Sequence, residues 1–293
     1  MPKKMRTILL ISIITLYGSF SFTQSDNTKH LRINKPFVLG EIDEIYSDIL
    51  SETRVLNIYL PVGYNKNDTI RYPVIYLLDG SADEDFIHIS GLVQYNSFEW
   101  INRVPKSIVV GIATVDRRRD FTFKTSIKKD AESYPNSGQS DKFITFLEKE
   151  LKPYIEKKYA AKKRGTIIGQ SLGGLLTTEI LLKKPGFFNT YIIISPSLWW
   201  DNGSLLQLDS DIQQKGFETP INIYIGVGKE GLAPTVNPRV MEVDANVLAD
   251  KLKSTQSKHI QVIFDYLPDE NHATIMHQAV SNAFKVLYSD KPK

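Results

Sequence analysis

The stretch Gly165-Thr166-Ile167-Ile168-Gly169-Gln170-Ser171-Leu172-Gly173-Gly174 decides the fold of this chain. Thr166 to Ile168 is a β-branched run that reads as a strand, and Leu172 to Lys183 reads as a helix. A strand that passes straight into a helix must turn sharply, with a strained backbone at Ser171, and the flanking glycines keep side chains out of that turn. The five-residue pattern G-x-S-x-G arises by chance too easily to carry an argument; its place between strand and helix gives it meaning. The turn exposes the Ser171 hydroxyl and aims the Leu172 backbone N–H at an incoming carbonyl oxygen, at a helix N-terminus whose field favours negative charge. Neither G-x-G-x-x-G nor G-x-x-x-x-G-K-[ST] is present, so a phosphate-binding loop is disfavoured.

Outward from this turn, apolar runs alternate with helical patterns. Arg54 to Leu60, Tyr72 to Leu78, Ser107 to Ala113, Thr190 to Ser195, Ile221 to Val227 and Ile260 to Leu267 are near-continuous apolar or β-rich runs, the signature of strands buried on both faces. A helix is expected from an N-cap at Ser140, with Phe143, Phe146, Leu147, Leu151 and Tyr154 on one face. Val240 to Lys253 and Thr274 to Tyr288 are the later helices, and Thr114 to Gln139 has no apolar period and reads as a substrate-facing loop. This order predicts an α/β-hydrolase fold: a mostly parallel central sheet with helices on both faces, catalytic residues just after the strands, and no large lid domain.

In this fold a nucleophilic serine is followed in the chain by an acid and then a histidine. His30 and His88 precede Ser171, His259 lies at the wrong end of the last strand, and His277 falls inside the final helix. His272, in the turn between that strand and that helix, is the expected general base. The acid is expected after the strand before last, which points to Glu230; Asp201 and Asp244 are competitors, as is a dyad with no acid. Backbone N–H groups of Leu172 and Ser81, the latter after the Tyr72 to Leu78 strand, are the expected oxyanion donors.

Composition bounds the rest. Lys3, Lys4 and Arg6 precede an apolar run of about 14 residues from Thr7 to Phe20, shorter than the ~20 of a spanning helix. Residues 1–24 read as a secretory signal peptide and 25–293 as one esterase domain, which predicts a periplasmic or secreted protein with no stable membrane insertion once the signal is removed. Those three cations account for the whole net charge of +3, so the basic balance is no argument for nucleic acid. With no cysteine, thiol nucleophiles, disulfide scaffolds and cysteine zinc sites are excluded, and no metal or cofactor is implied.

PVIYLLDG (Pro73 to Gly80), GQSLGG (Gly169 to Gly174), SPSLWW (Ser195 to Trp200) and Asn271-His272 together resemble the putative-esterase family, over most of the chain from about Phe37. That family includes siderophore trilactone esterases, S-formylglutathione hydrolases, feruloyl and acetyl-xylan esterases, and mycolyltransferases. The resemblance implies Ser171 as nucleophile and His272 as base, leaves the acid variable, and is nearest the siderophore-esterase branch through SPSLWW and DRRRDFT (Asp116 to Thr122). It predicts hydrolysis of a small-molecule or glycan ester. Carbohydrate esterase, acyltransferase and binding module on an inactive hydrolase fold are the alternatives. Trp199 and Trp200 are expected to wall the acyl site, with Arg118 and its neighbours Arg117 and Arg119 meeting anionic oxygens.

Overall fold

The apolar runs become strands of one eight-stranded sheet, all of them inner except Ile260 to Leu267, which forms a half-exposed edge. The computed structural model describes residues 34–67, 69–214, 216–235, 237–255 and 257–288; the expected signal peptide lies outside them. From Val38 on the chain forms one unit. Its elements are β1 (Glu41–Ser47), β2 (Glu52–Tyr59), β3 (Val74–Leu77), α1 (Phe86–Asn96), β4 (Ile108–Ile112), α2 (Arg117–Phe121), α3 (Lys128–Ser133), α4 (Ser140–Phe146), α5 (Lys152–Lys158), β5 (Thr166–Gln170), α6 (Leu172–Lys183), β6 (Thr190–Ile194), β7 (Ile221–Gly228), α7 (Met241–Lys253), β8 (Ile260–Leu267) and α8 (Ile275–Leu287).

Strand order is β1-β2-β4-β3-β5-β6-β7-β8. β2 runs antiparallel to both β1 and β4, and every pair from β4 to β8 is parallel. Alternate strand residues face opposite layers. Tyr76, Ile167, Ile193 and Ile225 pack with Phe143, Leu175, Leu176 and Leu248 of α4, α6 and α7. Ile75, Ile168, Ile192 and Tyr224 pack with Ile89, Val93, Ala279 and Phe284 of α1 and α8. With both faces covered, the inner parallel strands β3 to β7 are buried almost throughout and carry no polar alternation, unlike β1, β2 and the half-exposed β8. The arrangement is that of the α/β-hydrolase fold, and no lid domain occurs among the described residues. β3 is the point from which the order runs outward both ways, so the crevice above β3 and β5 is where such sheets take ligands.

Several elements depart from the sequence expectations. β1 is an edge strand whose inward face carries buried Asp43 and Ser47 on either side of a single half-buried apolar residue, Ile45. Asp43 accepts hydrogen bonds from Tyr154 Oη (2.9 Å), Tyr159 Oη (2.6 Å) and Lys158 Nζ (2.6 Å), so polar bonds dock this edge and leave no hydrophobic signature. The helix at Ser140 begins with Gln139 in the cap position, and Ser140 is its buried first residue. It passes through a π-helical turn at Leu147–Leu151 before Pro153, which has no N–H to give. Within Thr114 to Gln139, the short helices α2 and α3 form; Asp116 caps α2 by accepting from Arg119 N at 3.0 Å.

Candidate active site

Ser171 follows the last residue of β5 and caps α6 with φ 58° and ψ −117°, a left-handed backbone that a serine adopts only under constraint. The constraint is close packing. A Cβ on Gly169 would lie 2.3 Å from Gly173 O, and one on Gly174 would lie 2.9 Å from both Ile194 O and Pro196 Cα. A side chain has no room at either position, which accounts for the first glycine of the motif and for the Gly174 that follows it; at Gly173 the closest atom to a Cβ would be Asp79 Oδ2, at 3.3 Å. Leu172 is the first residue of α6, so its N–H has no acceptor within the helix and is left to point outward.

The loops after β7 and β8 bring Glu230 and His272 together. His272 Nδ1 lies 2.7 Å from Glu230 Oε2; the glutamate side chain is buried while the imidazole is half exposed. With Nδ1 committed to the carboxylate, Nε2 is the nitrogen available for proton transfer. The other Glu230 oxygen accepts from the buried Ser195 hydroxyl, and Gly228 N approaches it at 3.4 Å. The backbone around both residues is tied down. Lys229 N donates to Glu270 O (2.8 Å), Gln170 Nε2 donates to His272 O, and Glu242 of α7 accepts from Glu230 N (2.7 Å) and Gly231 N (2.9 Å). Burial pushes the Glu242 carboxyl up, but the N–H groups of Glu242, Gly231 and Glu230 outweigh it and hold the group below its ordinary value.

Ser171 and His272 line one open cleft of about 320 Å³, with Asp79, Glu84, Asp85, Arg117 and Gln170. Arg117 ties the elbow to the preceding loops: its Nε and Nη2 donate to Asp79 at 2.9 and 3.0 Å, and Nη2 also reaches Gln170 O at 3.1 Å. Burial raises the Asp85 carboxyl, and the charges of Asp79 and Glu84 add to it against the pull of His277. A larger depression of about 580 Å³ lies at the amino ends of the strands, among Arg71, Lys157, Lys162 and Lys163. It holds neither Ser171 nor His272, and chemistry outweighs size in choosing between the two. Among the described residues no cluster of three or more His, Cys, Asp or Glu could hold a metal ion.

Comparison with known proteins shows the family. Residues 47–269 match the model of the family described as "Putative esterase". The chain belongs to the putative-esterase family. As a member it is a carboxylic ester hydrolase. It is 32% identical over 257 residues to the ferri-bacillibactin esterase BesA of Bacillus subtilis (strain 168), covering 83% of this chain and 88% of that one. Among solved structures it resembles an IroE-like serine hydrolase from Shewanella oneidensis (TM-score 0.75, 29% identity, 86% of this chain and 80% of that one). It also resembles the BES protein from Bacillus cereus (TM-score 0.72, 29% identity, 88% and 98%).

Other side chains of this esterase lie where the sequence does not put them. Asp201 is bound to Ser126 N (2.6 Å) and to the Ser126 and Thr125 hydroxyls, and Asp244 pairs with Arg239 (2.6 Å), so neither competitor faces His272. Trp200 is 1% exposed and its Nε1 donates to Phe123 O, so it is core and cannot wall a substrate. Trp199 lines a second cleft with Tyr134, Lys129 and Pro234, and Arg118 stacks 3.9 Å above the Tyr134 ring at the edge of a third. Arg117, not Arg118, is the guanidinium in the Ser171 cleft. Adjacent residues of α2 point about 100° apart around the helix, which a run of identical residues cannot reveal. Ser81 N faces Glu84 Oε2 at 3.4 Å. His88 and His277 pair with each other (Nδ1 to Nε2, 2.7 Å).

Proposed function

We propose that this chain is an exported serine esterase that opens siderophore-type esters through an acyl-enzyme on Ser171. The observation that carries the reading is a left-handed Ser171 sharing a cleft with a histidine whose Nδ1 is held by a buried carboxylate. His272 Nε2 takes the Ser171 proton as Oγ attacks the ester carbonyl carbon. Glu230 holds the imidazole in the tautomer this requires and balances the cation that forms. The Leu172 N–H meets the developing oxyanion, with Ser81 N–H as second donor once a substrate oxygen replaces the Glu84 carboxylate. His272 then protonates the departing alkoxide, and water repeats the sequence to release the acid. Metal ligation plays no part in this scheme.

The substrate class rests on two supports. The relatives named above include a ferri-bacillibactin esterase and an IroE-like hydrolase. In addition, Trp199, Tyr134 and Arg118 present aromatic and cationic surface in two clefts that share Ser133 and Tyr134, suited to planar, electron-rich acyl groups. Export rests on the residues 1–24 pattern, and N-terminal sequencing of the mature protein from its native cell tests it. For the chemistry, fluorophosphonate treatment should leave one adduct on Ser171 and none on Ser171→Ala; an unlabelled wild type overturns the nucleophile. For the substrate, catecholate trilactone should be opened at least tenfold more efficiently than feruloyl or acetyl esters, and the reverse order would assign a carbohydrate ester instead.

A further inference from the structure

Three neighbouring strands of the sheet, β3, β5 and β6, each end in a left-handed residue that is not glycine: Asp79 (φ 53°), Ser171 (φ 58°) and Ser195 (φ 41°). Such backbone is strained at each position and persists only where surrounding structure enforces it. Asp79 and Ser171 line the catalytic cleft. Ser195 does not, and it is none of the nucleophile, the base and the acid.

Its position supplies a reason. Ser195 is fully buried, and its N–H is fixed by Gly226 O at 2.8 Å, so the strained turn after β6 holds its hydroxyl against Glu230 Oε1. Two residues on, Ser197 is 2% exposed; its N–H donates to Ser171 O at 2.9 Å and its Oγ lies 3.3 Å from Ser171 Oγ. Pro196 between them fixes φ and packs where a side chain on Gly174 would have to go. One buried tripeptide therefore touches both the acid and the nucleophile.

We infer that Ser195-Pro196-Ser197 is a working part of the catalytic centre, with Ser197 a further catalytic residue and Ser195 a positioning residue for Glu230. The inference rests on the serine esterase reading above. Ser197 Oγ–H donates to Ser171 Oγ, leaving the Ser171 proton for His272 Nε2. At 3.3 Å this bond is long in the resting enzyme. It tightens as negative charge builds on Ser171 Oγ during attack, so it favours the transition state over bound substrate. Ser195 occupies Glu230 Oε1 and thereby commits Oε2 to the imidazole.

The test combines steady-state kinetics, fluorophosphonate labelling rates and thermal melts on wild type, Ser197→Ala and Ser195→Ala. Ser197→Ala should lower kcat and the labelling rate about tenfold, the worth of one ordinary hydrogen bond, with KM within about twofold and an unchanged melting temperature. Ser195→Ala should lower kcat and also displace the acid limb of the kcat/KM profile, because the carboxylate facing His272 has lost a competing donor. Ser195→Cys and Ser197→Cys keep the shape with a weaker donor and should fall between wild type and alanine, which covers an alanine variant that fails to fold. Wild-type kcat and pH profile in these variants, or losses that track melting temperature alone, overturn the inference. If wild type itself is not labelled, the underlying nucleophile reading fails, and the inference with it.

Discussion

Two polar clusters, far apart in sequence, are built on opposite plans. Around Arg54, Asp120, Glu52 and Arg119, four charges pair with one another, although Arg54 Nε, buried, has no hydrogen-bond partner. Arg54 Nη2 meets Asp120 at 2.5 Å and also contacts Glu52; Arg119 reaches Glu52 at 2.6 and 3.0 Å and Asp120 at 2.7 Å; Arg54 and Asp120 are all but inaccessible. In the Ser171, His272 and Glu230 cluster, by contrast, bonds accumulate on the buried acid and thin out toward the cleft, where the imidazole is half exposed. Three successive arginines divide between these duties: Arg119 closes the ion cluster, Arg117 braces the catalytic cleft, and Arg118 lies on Tyr134. A cluster whose partners are all internal holds the fold; one that leaves its last bond facing outward is ready for a substrate.

That contrast breaks most visibly at Asp120. Asp120→Ala leaves two guanidinium groups short of an acceptor and should cost about 3–5 kcal/mol in denaturant unfolding, with labelling of the folded fraction unchanged. Replacing Arg54 and Asp120 together by Met and Leu should cost far less, since no unpaired charge is then buried. The opposite behaviour is expected at Glu242. Glu242→Gln weakens the grip on the Glu230 loop, so kcat should fall several-fold with KM and melting temperature nearly unchanged. A stability loss without a kcat change would make Glu242 part of the framework instead.

The smallest effect separates the clusters by pH. Burial pushes the Glu52 carboxyl up, but its bonds to Arg119 and the charge of Arg54 outweigh this and hold it below its ordinary value. A carboxyl depressed in the folded state contributes stability that is present above its unfolded value of ~4.3 and is lost as pH falls through the folded value. Denaturant midpoints should therefore be level from neutral pH to about 5 and decline below that, with a shallower decline in Glu52→Gln.

Chain order and local pattern carry a long way here. The parallel core of the sheet is legible because strands buried on both faces must be apolar throughout, and the elbow is legible because Gly169 and Gly174 beside Ser171 have no room for a side chain. Chain order alone points to His272, since in this fold a base is expected after the last strand, and the structure sets it beside Glu230 in the Ser171 cleft. β1 is not legible, because Asp43 and Ser47 dock it through polar bonds, nor is the division of the Arg117 to Arg119 run, because the helical turn sends adjacent side chains different ways.

By itself the sequence determined the sheet, the strand-to-helix turn and the short set of residues able to carry the chemistry. Tertiary structure alone decided which carboxylate faces His272, which arginine enters the cleft, that Trp200 is core, and that Ser195 and Ser197 reach the acid and the nucleophile. The physical reason is range. Periodicity and turn chemistry act between near neighbours, whereas these pairings join loops dozens of residues apart, and only strand order and register bring them within the length of a hydrogen bond.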